Sequence, residues 1–415
     1  MRVIAPLPLS AVRLAASGFA LLLALSLTGC DQVQDMMGEG EATDAAPADS
    51  SPATTPGTTT PAQQPGTTPA QPAPPNPQQV LAEFQSLNSI SITDEALKRV
   101  ADVPEAAAAI TDLDLSGAPI GTGGLTLLGK FPNLKTVNLS HVKLPAGGFA
   151  GFSPQSTFTQ VELADSTIDA AGLKSLSGVK TLNRVNLSGA TAVNADGLTA
   201  LSQIPQLVDL DISRNASMGA NVTGVLAQMP LVRLNAAQTS VNDAGLPNLA
   251  GMRTLKELSL SFCPITGVGF RNAFKSSQLI KLEVAETNFG EPGLLAIRGM
   301  KSLEELNVYK CGLKPLNTVK TAFSSLPNLR VLHIGVNGVF DAAIGPWFGN
   351  CKNLEELNLS GHKSMVTNAG LAGLVKLKNL KHLNCADTAV NLDGANALKA
   401  KIPGLQVTTG DGRRQ

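Results

Sequence analysis

LEELNVYKCGL, Leu303 to Leu313, sets a tyrosine, a lysine and a cysteine side by side between leucines. A lysine beside a thiol lowers the thiol pKa and makes a nucleophile. The same stretch is also readable as one rung of something repetitive, and the rest of the chain decides for the repeat. ITDLDLSGAPI begins at Ile110, LKTVNLSHVKL at Leu134, FTQVELADSTI at Phe158, LNRVNLSGATAV at Leu182, LVDLDISRNASM at Leu207 and LVRLNAAQTSV at Leu231. LKELSLSFCPI follows at Leu255, LIKLEVAETNF at Leu279, the opening stretch at Leu303, LRVLHIGVNGV at Leu329, LEELNLSGHKSMV at Leu354 and LKHLNCADTAV at Leu380. Most steps are 24 residues and the others 25 or 26.

Within each unit the alternation around Leu-x-Leu is that of a strand with one buried face. The Gly-Leu-x-x-Leu that follows, as at Gly124, Gly172, Gly197 and Gly370, has helical spacing. Thr122, Asn194, Asn242 and Asn368 stand just ahead as expected helix caps. One unit cannot bury its own apolar face, so units must stack. Twelve strands at about 4.8 Å give an inner sheet about 55 Å long. The low aromatic content, 4%, fits a core filled by repeated aliphatics.

A period in this range carrying L-x-x-L-x-L resembles the leucine-rich repeat, from about residue 80 to the end. The resemblance implies an α/β fold, a right-handed solenoid with a parallel concave sheet and short convex helices. It also implies protein ligands as the usual class, a likeness of fold that names no partner. Phe84 to Val103 is expected to form an N-terminal half-repeat ending in an amphipathic helix. IPGLQVTTGDGRRQ is expected to supply a last strand and a polar tail.

Ahead of the repeats, Arg2 and Arg13 precede the apolar run SGFALLLALSL and then LTGC. Leu27, Thr28, Gly29 and Cys30 resemble the bacterial lipoprotein lipobox, and the apolar run is short for a membrane span. The resemblance implies a signal peptide over 1–29 and acylation of Cys30, anchoring the chain to the cell membrane or outer membrane. The domain would lie on the periplasmic or extracellular side. Residues 30–78 are acidic and then rich in Pro and Thr, too poor in apolar residues to fold, and are expected to be a tether. The repeat domain with its caps takes 79–415.

Aligned units turn each position into a column. The first strand column runs Arg184, Asp209, Arg233, Glu257, Lys281, Glu305 in strict sign alternation, an expected ladder of neutralising pairs. The column between core positions is rich in Asn and acid and holds no Lys or Arg. It reads either as a strip that accepts hydrogen bonds from a partner or as a solvated face. Its carboxylates are too spread to cage calcium with roughly six to eight oxygens. The next column is small except at Tyr309, and the one after it, with Arg214, Phe262, Glu286, Lys310 and Val336, is mostly polar with Phe262 standing out. Phe262, Tyr309, Lys310, His333 and Val336 form the candidate contact patch, since large aromatics on an exposed inner face are typical binding anchors.

Other chemistry is poorly represented. Cys263 and Cys311 fall where leucine-rich repeats turn Asn, Cys or Thr inward, with Thr239, Thr287, Asn337 and Thr388 at the same place, so both are expected to be buried and inert. Cys385 takes a core column. No HExxH, CxxC pair, Gly-x-Ser-x-Gly or phosphate loop occurs, so no cofactor, metal or enzymatic role is expected. Lys plus Arg equals Asp plus Glu at 32 each, which leaves no global basic surface for nucleic acid. The expected function is protein binding by the concave face of a lipid-anchored exported protein. The alternative is a structural envelope component that self-associates or binds cell wall.

Overall fold

The middle aliphatic residue of each unit, leucine or valine, fixes one strand. The computed structural model describes residues 75–148, 157–270, 274, 278–314, 317–410 and 413–414. The expected signal peptide, Cys30 and the tether up to residue 74 lie outside them. Contacts divide the chain after Gln71, and the unit from Pro72 to Gln415 carries all the described residues.

Strands β1 (Asp112–Asp114), β2 (Thr136–Asn138), β3 (Gln160–Glu162), β4 (Arg184–Asn186), β5 (Asp209–Asp211) and β6 (Arg233–Asn235) come from the first six units. β7 (Glu257–Ser259), β8 (Lys281–Glu283), β9 (Glu305–Asn307), β10 (Val331–His333) and β11 (Glu356–Asn358) follow. After a side strand β12 (Lys363–Thr367) comes β13 (His382–Asn384), then β14 (Thr388–Ala389), which pairs with β12. β15 (Gln406–Thr409) is the last parallel strand. Neighbours from β1 through β11, β13 and β15 pair in parallel, with the buried leucine or valine of one opposite that of the next, as Val161 is opposite Val185 and Leu306 opposite Leu332. The middle residue of each strand is buried and its two flanking residues face outward. The spacing thus predicts the register. The tail departs from a merely polar end: β16 (Arg413–Arg414) folds back antiparallel on β15 and pairs its edge, which an open sheet edge demands.

The opposite face carries short helices. α4 (Thr122–Leu127), α5 (Ala170–Leu176), α6 (Ala195–Leu201) and α7 (Ala220–Leu226) are among them, as are α8 (Leu246–Ala250) and α9 (Gly290–Ala296). Asn194 caps α6 as expected, its side chain accepting from Asp196 and Gly197 N–H. Asp169 does the same for α5. Asn368 does not cap. Thr367 takes that role, and the Asn368 amide bridges to Asn391 on the next unit.

The N-terminal cover differs from a half-repeat. α1 (Pro77–Gln85), a 3-10 turn over Ser89–Ser91, α2 (Asp94–Ala101) and α3 (Pro104–Ala108) form it, with no strand. Thr93 caps α2 and ends any extension of the Ile90–Ile92 alternation. Asp94 then accepts from Gly121 N–H at 2.9 Å, tying the cover to the first unit.

Two adjacent columns leave the sheet in opposite directions. The outer one has positive φ in unit after unit: Gly117, His141, Asp165, Gly189, Arg214, Gln238, Phe262, Glu286, Lys310, Val336, Gly361 and Asp387. Its N–H groups carry the ladder past the strands, as Phe262 N–H does to Ala285 O at 2.8 Å. The next residue turns inward. Ser166, Asn215, Thr239, Cys263, Thr287, Cys311, Asn337 and His362 are all buried there. Asn337 is the fullest case. Its amide nitrogen reaches Val308, Ile334 and Gly335 O, while its oxygen accepts from Cys311 and Leu313 N–H, both at 3.0 Å. His362 donates from Nδ1 to Leu359 O at 2.8 Å and accepts from Asn337 N–H on Nε2 at 3.1 Å, so it is neutral.

Candidate protein-binding face

The concave face is built from the first and third residues of each strand, because alternate side chains share a face. The third-residue strip proves to be engaged by the fold. Asp114, Asn138, Asn186, Asp211, Asn235, Asn307, Asn358 and Asn384 each accept the N–H two residues on, at 2.8 to 3.1 Å. Such Asx bonds close the strand end and explain the residue type. Across strands, the amides of Asn138, Asn186 and Asn235 donate to Asp114, Glu162 and Asp211. Glu162, Ser259, Glu283 and His333, on β3, β7, β8 and β10, make no such lock.

The alternating ladder of the first strip forms, with one gap. Arg184 lies 3.3 Å from Glu162 and 3.5 Å from Asp209, and Arg233 lies 2.9 Å from Asp209. Lys281 lies 3.1 Å from Glu283 and 3.6 Å from Glu305. Glu257 sits between Arg233 and Lys281 in register but pairs with neither, since each is drawn to its other neighbour. Burial pushes the Glu257 carboxyl above the usual range against the pull of Arg233 and Lys281. Burial also works to lower the Lys281 pKa, but the carboxylates around it outweigh that and hold it raised.

Of the five patch residues, Phe262 is half exposed, at 50%. Tyr309 is half-buried, and its ring lies across Gly335, where a Cβ would come within 2.9 Å of the ring. Val336 is likewise half-buried and lies over Gly361 in the same way. Tyr309 and Val336 therefore lean along the solenoid as neighbours. Lys310 is bound to Glu286 at 2.6 Å, a bond that raises its pKa. His333 stands 3.8 Å from Glu356. Positive φ costs an ordinary side chain about 1 to 2 kcal/mol, and a β-branched or bulky residue there is an outlier. Val336 at 52° and Phe262 at 62° are two such residues in a column where Gly117, Gly189 and Gly361 also stand.

The opening cysteine turns away from all of this. Cys311 is 1% exposed, its Sγ donates to Val284 O at 3.0 Å, and burial raises its pKa. Cys263, Cys351 and Cys385 are also buried and free, with burial pushing Cys351 up to about 11 and Cys385 to about 12. The lysine beside Cys311 acts on Glu286 instead. Sequence reasoning missed the gap at Glu257, the inward roles of Asn215 and His362, and the left-handed column. The recurrence of glycine in that column was the available signal.

The family described as Leucine Rich repeat matches residues 251–270. No curated protein matches the chain. Among solved structures, an internalin from Listeria monocytogenes is 16% identical with a TM-score of 0.51, covering 82% of this chain and 95% of its own. TLR13 in a complex with a single-stranded RNA is 21% identical with a TM-score of 0.53, covering 72% of this chain and 42% of its own. A Leptospira interrogans leucine-rich repeat protein is 16% identical with a TM-score of 0.46, covering 80% and 98%. Together with the parallel sheet and its opposing helices, the likenesses to the internalin and to TLR13 establish the fold as an α/β leucine-rich repeat solenoid.

Proposed function

We propose that this chain is a lipid-anchored, exported, non-enzymatic protein that binds another protein through its concave face. One observation carries the reading: on β7 to β10 the face carries side chains the fold does not require. Phe262 and Val336 hold left-handed positions where glycine would relieve strain, and Tyr309 breaks a column of small residues. Lys310 enters as half of its pair with Glu286, and His333 lines the floor nearby. The RNA bound to TLR13 is not carried over to this chain, because Arg184, Arg233 and Lys281 on its concave face are already paired with carboxylates and are not free to neutralise phosphates.

Anchoring rests on LTGC at 27–30, with Cys30 carrying the acyl groups and the membrane as its partner. Among the described residues no helix is long and apolar enough to cross a membrane. Cys30→Ser is expected to release the chain from the membrane fraction, and an unchanged fraction would sink the anchor. For the partner, photocrosslinking in cells from residue 309 is expected to capture a protein that a probe at the exposed, convex residue 174 does not. Equal capture from both faces counts against the concave patch. Capture of the chain's own copies from residue 309 favours the self-associating envelope component instead.

A further inference from the structure

Arg184, Asp209, Asp211, Arg233, Asn235, Glu257, Ser259, Lys281 and Glu283 surround a concave cavity of about 220 Å³. Three cations and four carboxylates stand there, and nearly all are matched. Asp209 takes both arginines, Lys281 takes Glu283, and Asp211 takes Asn235 and the Ser213 N–H. Among the strands lining the cavity, only β7 leaves both of its concave side chains without a side-chain partner. Glu257 and Ser259 lie two residues apart on the same face.

We propose that this cavity seats the cationic side chain of a lysine or arginine from the protein partner, with Glu257 as its counter-ion and the Ser259 hydroxyl as a second acceptor. The proposal rests on the protein-binding reading and names the chemistry one part of the partner must have. A cation is required because the unmatched charge is a carboxylate, and the flanking Arg233 and Lys281 are already neutralised by Asp209, Glu283 and Glu305. An ammonium or guanidinium brings several donors, enough to reach both acceptors in charge-assisted bonds. A bare metal ion fits worse, since no group of metal-binding residues occurs among the described residues. The volume is many times the roughly 10 to 15 Å³ of cavity space that one water needs, which suits the end of a long side chain. Burial of Glu257 supports the same conclusion, because a half-desolvated anion gains most from a hydrogen-bonded cation.

The test is a titration of the isotope-labelled full chain in detergent, followed by amide NMR, with N-acetyl-lysine methylamide as the probe and N-acetyl-norleucine methylamide as its uncharged counterpart. The lysine probe is expected to give saturable shifts at residues 257–259 and at their neighbours on β6 and β8, with norleucine giving none. Glu257→Gln, which keeps the shape and removes the charge, is expected to weaken the lysine response at least tenfold. Equal shifts from both probes overturn the proposal, and so do lysine shifts that survive Glu257→Gln. The lysine against norleucine contrast on the unaltered chain decides the matter even if the variant fails to fold. No lysine-specific shift with crosslinking from residue 309 intact overturns this seat alone. Loss of both overturns the protein-binding reading as well.

Discussion

On β4 to β6 and on β7 to β10 the same strand positions are put to different uses. In the first region Asn186, Asp211 and Asn235 lock their strand ends and Arg184, Asp209 and Arg233 pair along the sheet. In the second, Asn307 locks but Ser259, Glu283 and His333 do not, Glu257 has no side-chain partner, and Phe262 and Val336 put an aromatic and a β-branched side chain at the left-handed position that Arg214 and Gln238 hold in the first. The buried middle residues beneath are aliphatic in both, Val185, Leu210 and Leu234 in the first and Leu258, Leu282, Leu306 and Leu332 in the second. A repeat therefore separates what the fold needs, which recurs, from what it tolerates, and the tolerated positions are where a partner is to be sought.

The strongest challenge to this contrast is that β7 to β10 is simply a looser part of the solenoid. Asn337→Ala tests it, because five backbone groups bond to its buried side chain and all but Gly335 O, which keeps the Lys310 N–H, have no other hydrogen bond there. A loss of about 3 kcal/mol in denaturant unfolding is expected. A loss below about 1 kcal/mol would mean the region is loose and the contrast is misread.

A second test uses pH. Burial lowers the His362 pKa, against the opposing effect of backbone bonds to Leu359 and Ser360. The unfolded chain then takes up the proton first as pH falls, so the stability that neutral His362 confers is full above about 6.5 and is lost as pH drops towards its folded value. The slope for one proton is at most about 1.4 kcal/mol per pH unit. His362→Asn is expected to flatten that part of the stability profile, and an unchanged profile would place the titration elsewhere.

In the regular region, Asp211→Ala strands the Ser213 N–H and the Asn235 amide, with an expected loss of about 1 to 2 kcal/mol. Asp211→Asn should lose less, since its oxygen still accepts from Ser213. The smallest effect, and the most telling, belongs to Phe262→Gly. Relief of the left-handed strain is expected to leave stability unchanged or raised by about 1 kcal/mol, while crosslinking from residue 309 falls. A clear loss of stability would make Phe262 a structural residue and remove it from the patch.

The fold was largely legible because stacking turns a step of 24 to 26 residues into a single neighbour relation, so Leu306 meets Leu332 and Cys311 turns inward in either description. The site was only partly so. Tyr309 stands out in a column of Ser, Ala and Gly on the page, yet its place over Gly335 depends on how far the ring leans along the solenoid. Lys310 beside Cys311 suggested a reactive thiol, whereas the two residues lie on opposite sides of the turn.

The sequence by itself determined the repeat, its register, the inward cysteines and the alternation of charge, because each follows from period and residue type. Only the tertiary structure decided that Lys281 chooses Glu283 and Glu305 over Glu257, that Phe262 and Val336 sit at positive φ, and that the Asn strip serves its own strand ends. The physical reason is range. Periodicity specifies which residues are neighbours, but the choice among neighbours at 3 to 4 Å is set by side-chain reach and backbone dihedrals, and these are properties of the folded geometry alone.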